Sequence, residues 1–425
     1  MSGESTDKIL NKIMMLHPKI IDLKLDRVLS LLKKLGNPEK ELPPVIHISG
    51  TNGKGSTQAI IKAGLEADGK TVHSYTSPHL VRFNERINVA GTIISDDKLN
   101  EVLCECYKSN AGAQITYFEL TTVAAILAFS RFKADYCILE VGLGGRFDAT
   151  NIIEEPEVCI ITPISLDHEK LLGSTIEKIA FEKAGILKNS SPCFVAEQEP
   201  EALEVIKNVA NTVGSNLRIY NEDWNLKEKA DGFYFKDSLG GVKLPLPSLV
   251  GSHQVLNAGI SVAVLRHLGI SSKSVLRNAL LDVVWPARMQ RLVSGPITEI
   301  AKNSEIWLDG GHNPAAGQVL SDTLKSLIPK KTFLICGMLN TKDVSGYMNN
   351  LKDIADELIA ISVPEEVATL TALETSIFAK KAGIKATQAQ SLEDAVSVAV
   401  LHSGPSRIVI CGSLYLAGFV LRNHG

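Results

Sequence analysis

The sequence predicts an α/β protein with a mostly parallel sheet in a larger first domain and a smaller α/β domain behind it. Three observations carry that prediction. Short apolar runs alternate with longer segments of helical character, the pattern of strand–helix–strand units. The chain has 425 residues, more than one ordinary core accommodates. The alternation also restarts after Trp285-Pro286, beyond a stretch with a different pattern.

In the first part the strands read VIHIS (45–49), TVHSY (71–75), YCILEV (136–141), VCIITPI (158–164) and CFVA (193–196). Helical segments fall between them, among them Thr57 to Asp68, Leu120 to Phe132 and Thr175 to Leu187. Residues 217–249 alternate polar and apolar positions and hold several glycines, so they read as a small antiparallel addition. His253 to Leu268 reads as a helix. The second series has strands EIWLD (305–309), TFLICGM (332–338), ELIAIS (357–362) and RIVICG (407–412), with helices from Pro314, Val344, Leu370 and Leu392. The expected division is 1–285 and 286–425, with the hinge near Asp282 to Pro286. The second part then has about 140 residues, an ordinary domain size. No internal repeat or low-complexity tract interrupts either part.

Composition removes several function classes. Hydrophobic residues make up 45% and charged residues 21%, as in a globular protein and unlike a disordered one. A net charge of −3 gives no footprint for nucleic acid or an anionic membrane, so an anionic substrate must be held by local groups and metal ions. Met1 to Lys8 is polar and lacks the apolar run of a secretory signal. No apolar stretch is long enough to span a membrane. The seven cysteines, at 104, 106, 137, 159, 193, 336 and 411, form no CxxC pair, and Cys137 and Cys159 sit inside apolar strands. Reduced, mostly buried thiols and a cytoplasmic location are expected.

The strongest chemical signal is Gly50-Thr51-Asn52-Gly53-Lys54-Gly55-Ser56-Thr57, which follows an apolar strand and opens a helix. A phosphate-binding loop belongs at that position. Glycines let backbone N–H groups turn onto phosphate oxygens, and Lys54 neutralises the outer phosphates. The spacing departs from the standard loop: Ile48 stands where a leading glycine belongs, and Gly55 intervenes between Lys54 and the hydroxyl residues. A glycine-rich strand–helix turn with no ligand would read the same way.

A second signal is a set of hard-metal ligand candidates at strand ends: Ser77 in TSPH, Glu140 in LEVGLGGRFD and His168 in SLDH. Ligands bind beyond the carboxyl edge of a parallel sheet, so residues distant in sequence can converge there. A carboxylate, a hydroxyl and an imidazole leave open positions for water and phosphate, as magnesium requires. Each also has a plainer reading, Ser77 as a turn residue before proline and His168 as a helix cap. Lys183 in FEKAGILK reads alone as a solvated helix lysine. Arg288 in WPARMQR and Asp309 and His312 in DGGHNP fall at a strand-to-helix turn, where catalytic loops often lie and where capping is the alternative.

Taken in order, GTNGKGST, TSPHLVRFNERI, TYFELTT, EVGLGGRFDATN, LDHEKLLG, EKAGILK, PARMQR and DGGHNP resemble the folylpolyglutamate synthase and dihydrofolate synthase branch of the Mur ligase family. The likeness runs from LHPKIIDLKLDRV near the start to CGSLYLAG near the finish, and G-x-x-G-K-G-[ST] is that family's form of the loop. The resemblance implies an ATP-binding domain and a smaller Rossmann-like domain with the active site in the cleft between them. It implies that Lys54 contacts ATP phosphates, with Gly50 to Thr57 around them, and that Ser77, Glu140, His168 and Lys183 hold two magnesium ions. Lys183 matches a lysine that carries a carbamate, an anion able to ligate metal. Asn257, Arg288, Asp309 and His312 match positions around the nucleotide, and His312 and Ser413 are the candidates for glutamate.

The implied chemistry is ATP-dependent ligation. A substrate carboxylate attacks the γ-phosphate to give an acyl phosphate, and the amine of L-glutamate displaces phosphate. The implied acceptors are 7,8-dihydropteroate and reduced folates, bound by a monomer that engages neither nucleic acid nor membrane. Ile21, Asp22 and Leu23 would form an apolar wall, Arg82, Thr116 and Phe118 polar contacts and an aromatic face, and Asp148 with Ala149 the pterin's hydrogen-bond partner. A folylpolyglutamate synthase without dihydropteroate activity stays open as the alternative. A cell-wall Mur ligase is weakened because the loop starts at residue 50, leaving no room for a UDP-binding domain ahead of it. A noncatalytic nucleotide-binding protein would keep the loop without needing the metal ligands.

Overall fold

A computed structural model describes residues 5–19, 21–189, 191–401 and 405–425. The first four residues of the polar Met1 to Lys8 stretch and Ile20 of LHPKIIDLKLDRV lie outside them. The chain divides into two compact units, Met1–Leu246 with Leu256–Val283 and Pro247–Val255 with Val284–Gly425. Where the sequence suggests one division at 285, the chain enters the second unit briefly over Pro247–Val255 before its main crossing. The reason is local. A Cβ on Gly251 would lie 2.8 Å from Oγ1 of Thr323, so this short segment packs on a helix of the second unit.

The first unit is built on eight strands: β1 (Val45–Ser49), β2 (Val72–Tyr75), β3 (Ile87–Val89), β4 (Thr92–Ile93), β5 (Tyr136–Glu140), β6 (Val158–Ile161), β7 (Pro192–Val195) and β8 (Asn216–Ile219). Their order is β4-β3-β2-β5-β1-β6-β7-β8. The six from β2 to β8 pair in parallel, and β3 and β4 add an antiparallel edge. Every residue of β1 is buried, as expected of a central parallel strand with both faces covered.

The helices of this unit are α1 (Thr6–Met14), α2 (Asp26–Lys34), α3 (Lys54–Ala67), α4 (Asp96–Asn110), α5 (Tyr117–Ser130), α6 (Glu169–Leu172), α7 (Ile176–Ala184) and α8 (Pro200–Val213). One core joins α1, α2, α4 and α5 to strand residues such as Tyr75, Cys137 and Leu139. Burying Ile9 and Ile13 of α1 there contributes roughly 1.5–3 kcal/mol each. A second core joins α7 and α8 to Cys159, Ile161, Cys193 and Val195. Helix α5 is buried from Glu119 through Phe129, so it shows no apolar stripe.

Beyond β8 come β9 (Asn225–Lys229), β10 (Gly232–Asp237) and β11 (Gly240–Leu244), an antiparallel sheet of three strands. The sequence expectation of an antiparallel addition over 217–249 therefore needs correction at its start. Residues 216–219 pair in parallel with β7, from Pro192↔Asn216 to Val195↔Ile219, and close the large sheet. Then follow α9 (Ser252–His267) and α10 (Lys273–Leu281).

The second unit has strands β12 (Gln290–Leu292), β13 (Glu305–Leu308), β14 (Thr332–Cys336), β15 (Glu357–Ala360), β16 (Ala386–Gln388) and β17 (Arg407–Cys411), in the order β12-β13-β17-β14-β15-β16. All pairs are parallel except β12 with β13. Its helices are α11 (Pro296–Ala301), α12 (Pro314–Ser326), α13 (Val344–Asn349), α14 (Ala372–Lys381), α15 (Leu392–Leu401) and α16 (Leu414–His424). All seven cysteines are free thiols, and six of them are buried. Among the described residues no helix is long and apolar enough to cross a membrane.

Candidate active site

Strands β2, β5, β1 and β6 are neighbours in that order, so the loops at their carboxyl ends lie side by side. Open parallel sheets bind ligands at that edge. The loop after β1 turns through Gly50 (φ 144°) and Gly53 (φ 88°), conformations that side chains resist. A Cβ would lie 1.9 Å from Thr162 Oγ1 at Gly50 and 2.5 Å from Asn257 Oδ1 at Gly53. Glycine is therefore required sterically as well as conformationally. Helix α3 starts at Lys54 with no side-chain cap, so its first turn and its partial positive charge face the loop.

The loop is braced by its neighbours. The Thr51 and Asn52 N–H groups donate to Pro163 O at 3.0 and 3.3 Å. Thr51 Oγ1 donates to Ser165 O at 3.0 Å and accepts from Ser165 N at 3.1 Å. Lys54 Nζ donates to Gly50 O and Thr51 O at 3.0 and 3.2 Å. Lys183, fully within the last turn of α7, donates from Nζ to the same Gly50 carbonyl at 2.8 Å. Burial, and then the charge of Lys54, lower the Lys183 amine to about 7. The solvated helix lysine expected of that position in isolation is instead a buried amine at the phosphate loop.

Glu140 closes β5 and is buried. Its Oε2 accepts from the Thr76 hydroxyl and, at 3.3 Å, from the Ser77 N–H, so the structure joins two of the candidate metal ligands. His168 is the N-cap residue of α6 with φ 53°, and its side chain makes no capping hydrogen bond. Its N–H donates to Asp167 Oδ1 at 2.8 Å, and the Asp167 carboxylate in turn acts electrostatically on Lys183. Among the described residues no three His, Cys, Asp or Glu side chains gather at one point. The candidate set is a carboxylate, a hydroxyl, an imidazole and a lysine, of which the carboxylate and hydroxyl are the hard oxygen donors that magnesium prefers. A lysine ammonium is no ligand, so Lys183 fits the ion only after conversion to an anion.

The pteroate candidates fall into a network and an edge. Arg27 donates to Asp22 Oδ2 at 2.9 Å and to both oxygens of Glu119, at 2.9 and 2.6 Å. This holds Asp22 below the usual carboxylate range, the Arg27 hydrogen bond being the largest cause. Glu119 and Thr116 form the capping box of α5, so the Thr116 hydroxyl is engaged as a helix cap. Ile21 is exposed, while Leu23 packs on the core that holds Leu143 and Ile164. Arg82 pairs with both oxygens of Asp96 at 2.8 Å and lines a cavity of about 640 Å³ with Leu10, His79 and Tyr117. Phe118 lies against Gly142, where a Cβ would be 2.2 Å from its Cζ. Asp148 is buried beside Ala149 and accepts from Leu143 N at 2.9 Å, Thr150 N at 3.0 Å and Thr150 Oγ1 at 2.6 Å. Burial pushes the pKa of its carboxyl up, opposed by those bonds.

In the second unit Asp309 follows β13. Its oxygens accept from Gly311 N at 2.8 Å and Met289 N at 3.0 Å. His312 Nδ1 lies 3.0 Å from Gly310 O; a carbonyl only accepts, so the neutral ring carries its hydrogen on Nδ1 and its lone pair on Nε2. Arg288 Nη1 donates to Ala287 O at 2.9 Å. The Ser413 hydroxyl is buried and caps α16 by accepting from Tyr415 N. His253 was not singled out from sequence, since nothing marks it but its place in the first turn of a helix. Burial lowers its imidazole to about 4, with Asp309 raising it and Arg288 lowering it further, so it belongs to the same neighbourhood. Thr76 and Ser165 were missed too, although both lie inside the quoted motifs TSPH and SLDH.

A glycine phosphate loop at a parallel-sheet edge, beside a buried carboxylate and lysine, defines a nucleotide-binding α/β protein. Residues 48–265 match the Mur ligase middle domain, and residues 296–423 match the dihydrofolate synthetase C-terminal domain. The chain is 33% identical over 414 residues to dihydrofolate synthase/folylpolyglutamate synthase of Bacillus subtilis, covering 92% of each chain. The structure of E. coli FolC in complex with DHPP and ADP superposes with a TM-score of 0.90 at 32% identity, over 99% of this chain and 97% of that one. A bifunctional folylpolyglutamate synthase/dihydrofolate synthase with Mn, AMPPNP and L-glutamate bound gives 0.87 at 30% identity, over 99% and 98%. The chain belongs to the Mur ligase family, in its dihydrofolate synthase and folylpolyglutamate synthase branch.

Proposed function

We propose that this protein joins L-glutamate to 7,8-dihydropteroate, giving dihydrofolate, and to reduced folates, giving polyglutamates, with ATP as the activating substrate. The observation that carries the reading is the meeting of Lys54 and Lys183 on the Gly50 carbonyl, within a glycine loop at the carboxyl edge of β1. Residues of such a loop bind phosphate through backbone N–H groups, and Lys54 offsets charge on the outer phosphates. A carboxylate is a poor electrophile, so its oxygen attacks the γ-phosphorus, ADP leaves and an acyl phosphate forms. The glutamate amine then attacks the acyl carbon, losing a proton, and phosphate departs. We assign Arg288 and Asp309 to the nucleotide, and His312, whose Nε2 lone pair is the ring's acceptor, to the amine step with Ser413.

Ser77, Glu140 and His168 would hold magnesium, which lowers the repulsion between the phosphates and the incoming carboxylate when bound. Lys183 joins them as a carbamate. Its amine, held near 7 by burial, is neutral in good part at cytoplasmic pH; it attacks carbon dioxide and releases one proton, leaving an anion. The comparison with FolC bound to DHPP supports dihydropteroate as one acceptor. The test is to supply ATP, magnesium and L-glutamate with either 7,8-dihydropteroate or tetrahydrofolate, and to weigh the products. ADP release only when acceptor and glutamate are both present, with one glutamyl residue gained, is expected. ADP release indifferent to both overturns the ligase reading. Conversion of tetrahydrofolate alone reduces it to a folylpolyglutamate synthase.

A further inference from the structure

The motif GGRFDATN ends in Asn151, a residue that none of the assigned steps uses. It is buried at 6% exposure, and its side-chain amide donates two hydrogen bonds of 3.0 Å, one to Arg146 O and one to Gly185 O. Those carbonyls belong to different elements. Arg146 lies in the loop that leaves Glu140, and Gly185 ends α7, two residues past Lys183. The same two segments meet again just before Lys183. Arg146 N donates to Glu182 O at 2.8 Å, and its guanidinium pairs with Glu182 Oε1 at 2.7 Å. A Cβ on Gly145 would lie 2.8 Å from Glu182 O and 2.9 Å from Lys183 O; one on Gly185 would lie 2.3 Å from Arg146 Cβ. The backbones touch, and no other residue type fits between them.

We propose that Asn151 is a positioning residue for Lys183: with Arg146 it clamps α7 on both sides of the lysine and fixes it relative to Glu140. The inference rests on the metal-binding role proposed above for Glu140 and Lys183. The geometry explains why both amide hydrogens of Asn151 are spent on backbone while its Oδ1 is buried without a partner. An asparagine there serves as a double donor, and the cost of the orphaned oxygen is tolerated for it. The residue closes its own turn, through Arg146 O and through its N–H to Asp148 O, and ties that turn to Gly185 at the end of α7. Through α7 it sets the 2.8 Å reach of Lys183 Nζ to Gly50 O. Partners that orient a metal ligand typically change metal affinity by about 10–100-fold when removed.

The experiment titrates Mn2+ into the full-length chain with a nonhydrolysable ATP analogue, following free Mn2+ by electron paramagnetic resonance. Asn151→Ala and the isosteric Asn151→Asp both lose the double donor and should bind Mn2+ at least ~10-fold more weakly. Arg146→Ala keeps the backbone bond and should show a smaller loss, which guards against an Asn151 variant that does not fold. Asn110→Ala is the control for a merely structural role. Asn110 is likewise buried and donates to Ala113 O at 2.6 Å, at the end of α4. It should lower the melting temperature and leave Mn2+ binding unchanged. Mn2+ binding within twofold of the parent in the folded Asn151 and Arg146 variants overturns the proposal. Ligase activity is not read here, so a parent that binds Mn2+ in this way but forms no glutamyl product would sink the proposed function and leave the clamp standing.

Discussion

The loops at the carboxyl edges of the two sheets are held in different ways. In the first unit, each loop is tied to another loop. Thr51 bonds Ser165, the Ser49 hydroxyl donates to Gly144 O at 2.9 Å, Lys183 reaches Gly50, and Asn151 spans Arg146 and Gly185. In the second unit the candidate side chains bond more locally. His312 bonds Gly310, Arg288 bonds Ala287, Ser413 caps its own helix and Asp309 reaches Met289, while backbone bonds such as Asn340 N–H to Ala368 O and Leu370 N–H to Met338 O tie the outer loops. A cross-braced edge is preorganised, so damage at one point spreads. A locally bonded edge loses one function at a time.

The largest effect should therefore follow from unseating the phosphate loop. Gly50→Ala places a Cβ 1.9 Å from Thr162 Oγ1 at a φ of 144°. Displacing a positioned group by about 1 Å can cost ~100-fold, and we expect at least that in ADP formation, with weaker nucleotide binding measured by calorimetry. A Gly50→Ala protein of near-normal activity would show that the bracing is slack.

Lys183→Ala comes next. It should lose most ligase activity while still binding ATP, with short-chain carboxylic acids restoring part of it by supplying the missing anion. The pH dependence has a definite sign. The lysine is near 7 when folded and 10.5 when unfolded. The cost of burying its charge is fully present below about 7 and is relieved as pH rises toward 10.5. Carbamate, seen by 13C resonance with labelled bicarbonate, should accordingly grow as pH rises from 6 to 8. A flat profile, or full activity in Lys183→Ala, contradicts the assignment.

How much of this was legible depended on how local each feature is. The strand, loop and helix around GTNGKGST were readable because an apolar run and spaced glycines lie together in sequence. DGGHNP at the end of β13 was readable for the same reason. Strand β8 was not, because only Ile219 of its four residues is buried and its place comes from pairing with β7. The clamp was invisible too: the partners of Asn151 include a carbonyl 34 residues away, and hydrogen bonds to backbone leave no mark on the partner's identity. Lys183 was assigned only through family resemblance, since its burial is a tertiary fact.

In the second unit the effects should be smaller and separable. His312→Ala should cut turnover at least ~10-fold, equivalent to ~1.4 kcal/mol of transition-state stabilisation, with little change in melting temperature. Asp309→Ala should cut turnover similarly but also lower stability by about 1 kcal/mol, because two backbone donors lose their acceptor. Thermal melts beside steady-state rates distinguish the two. If both variants lose stability and activity in proportion, Asp309 and His312 serve the fold of their loop and no more.

The smallest effect is the most discriminating, because it concerns which acceptor is used. Phe118 rests on Gly142 and lies 6.2 Å from the Tyr75 ring, at the side of the first unit where Asp148 is buried. If that face receives the flat pterin of dihydropteroate, Phe118→Ala removes an aromatic contact worth about 1 kcal/mol, or ~5-fold in kcat/KM. Use of tetrahydrofolate, if its pterin sits elsewhere, should fall less. Asp148 is the harder case. Its oxygens already hold Leu143 N, Thr150 N and the Thr150 hydroxyl, so Asp148→Ala opens the turn that leads to Asn151 as well as removing a pterin acceptor. Asp148→Asn does not separate these either: it keeps the Thr150 bonds at one oxygen but turns the other into a donor facing the Leu143 N–H. Both Asp148 variants should lose stability; selective loss of dihydropteroate use, measured as the ratio of kcat/KM for the two acceptors, should appear in Phe118→Ala without comparable destabilisation. Equal losses for both acceptors in Phe118→Ala would mean that this face supports the sheet edge and does not choose the substrate.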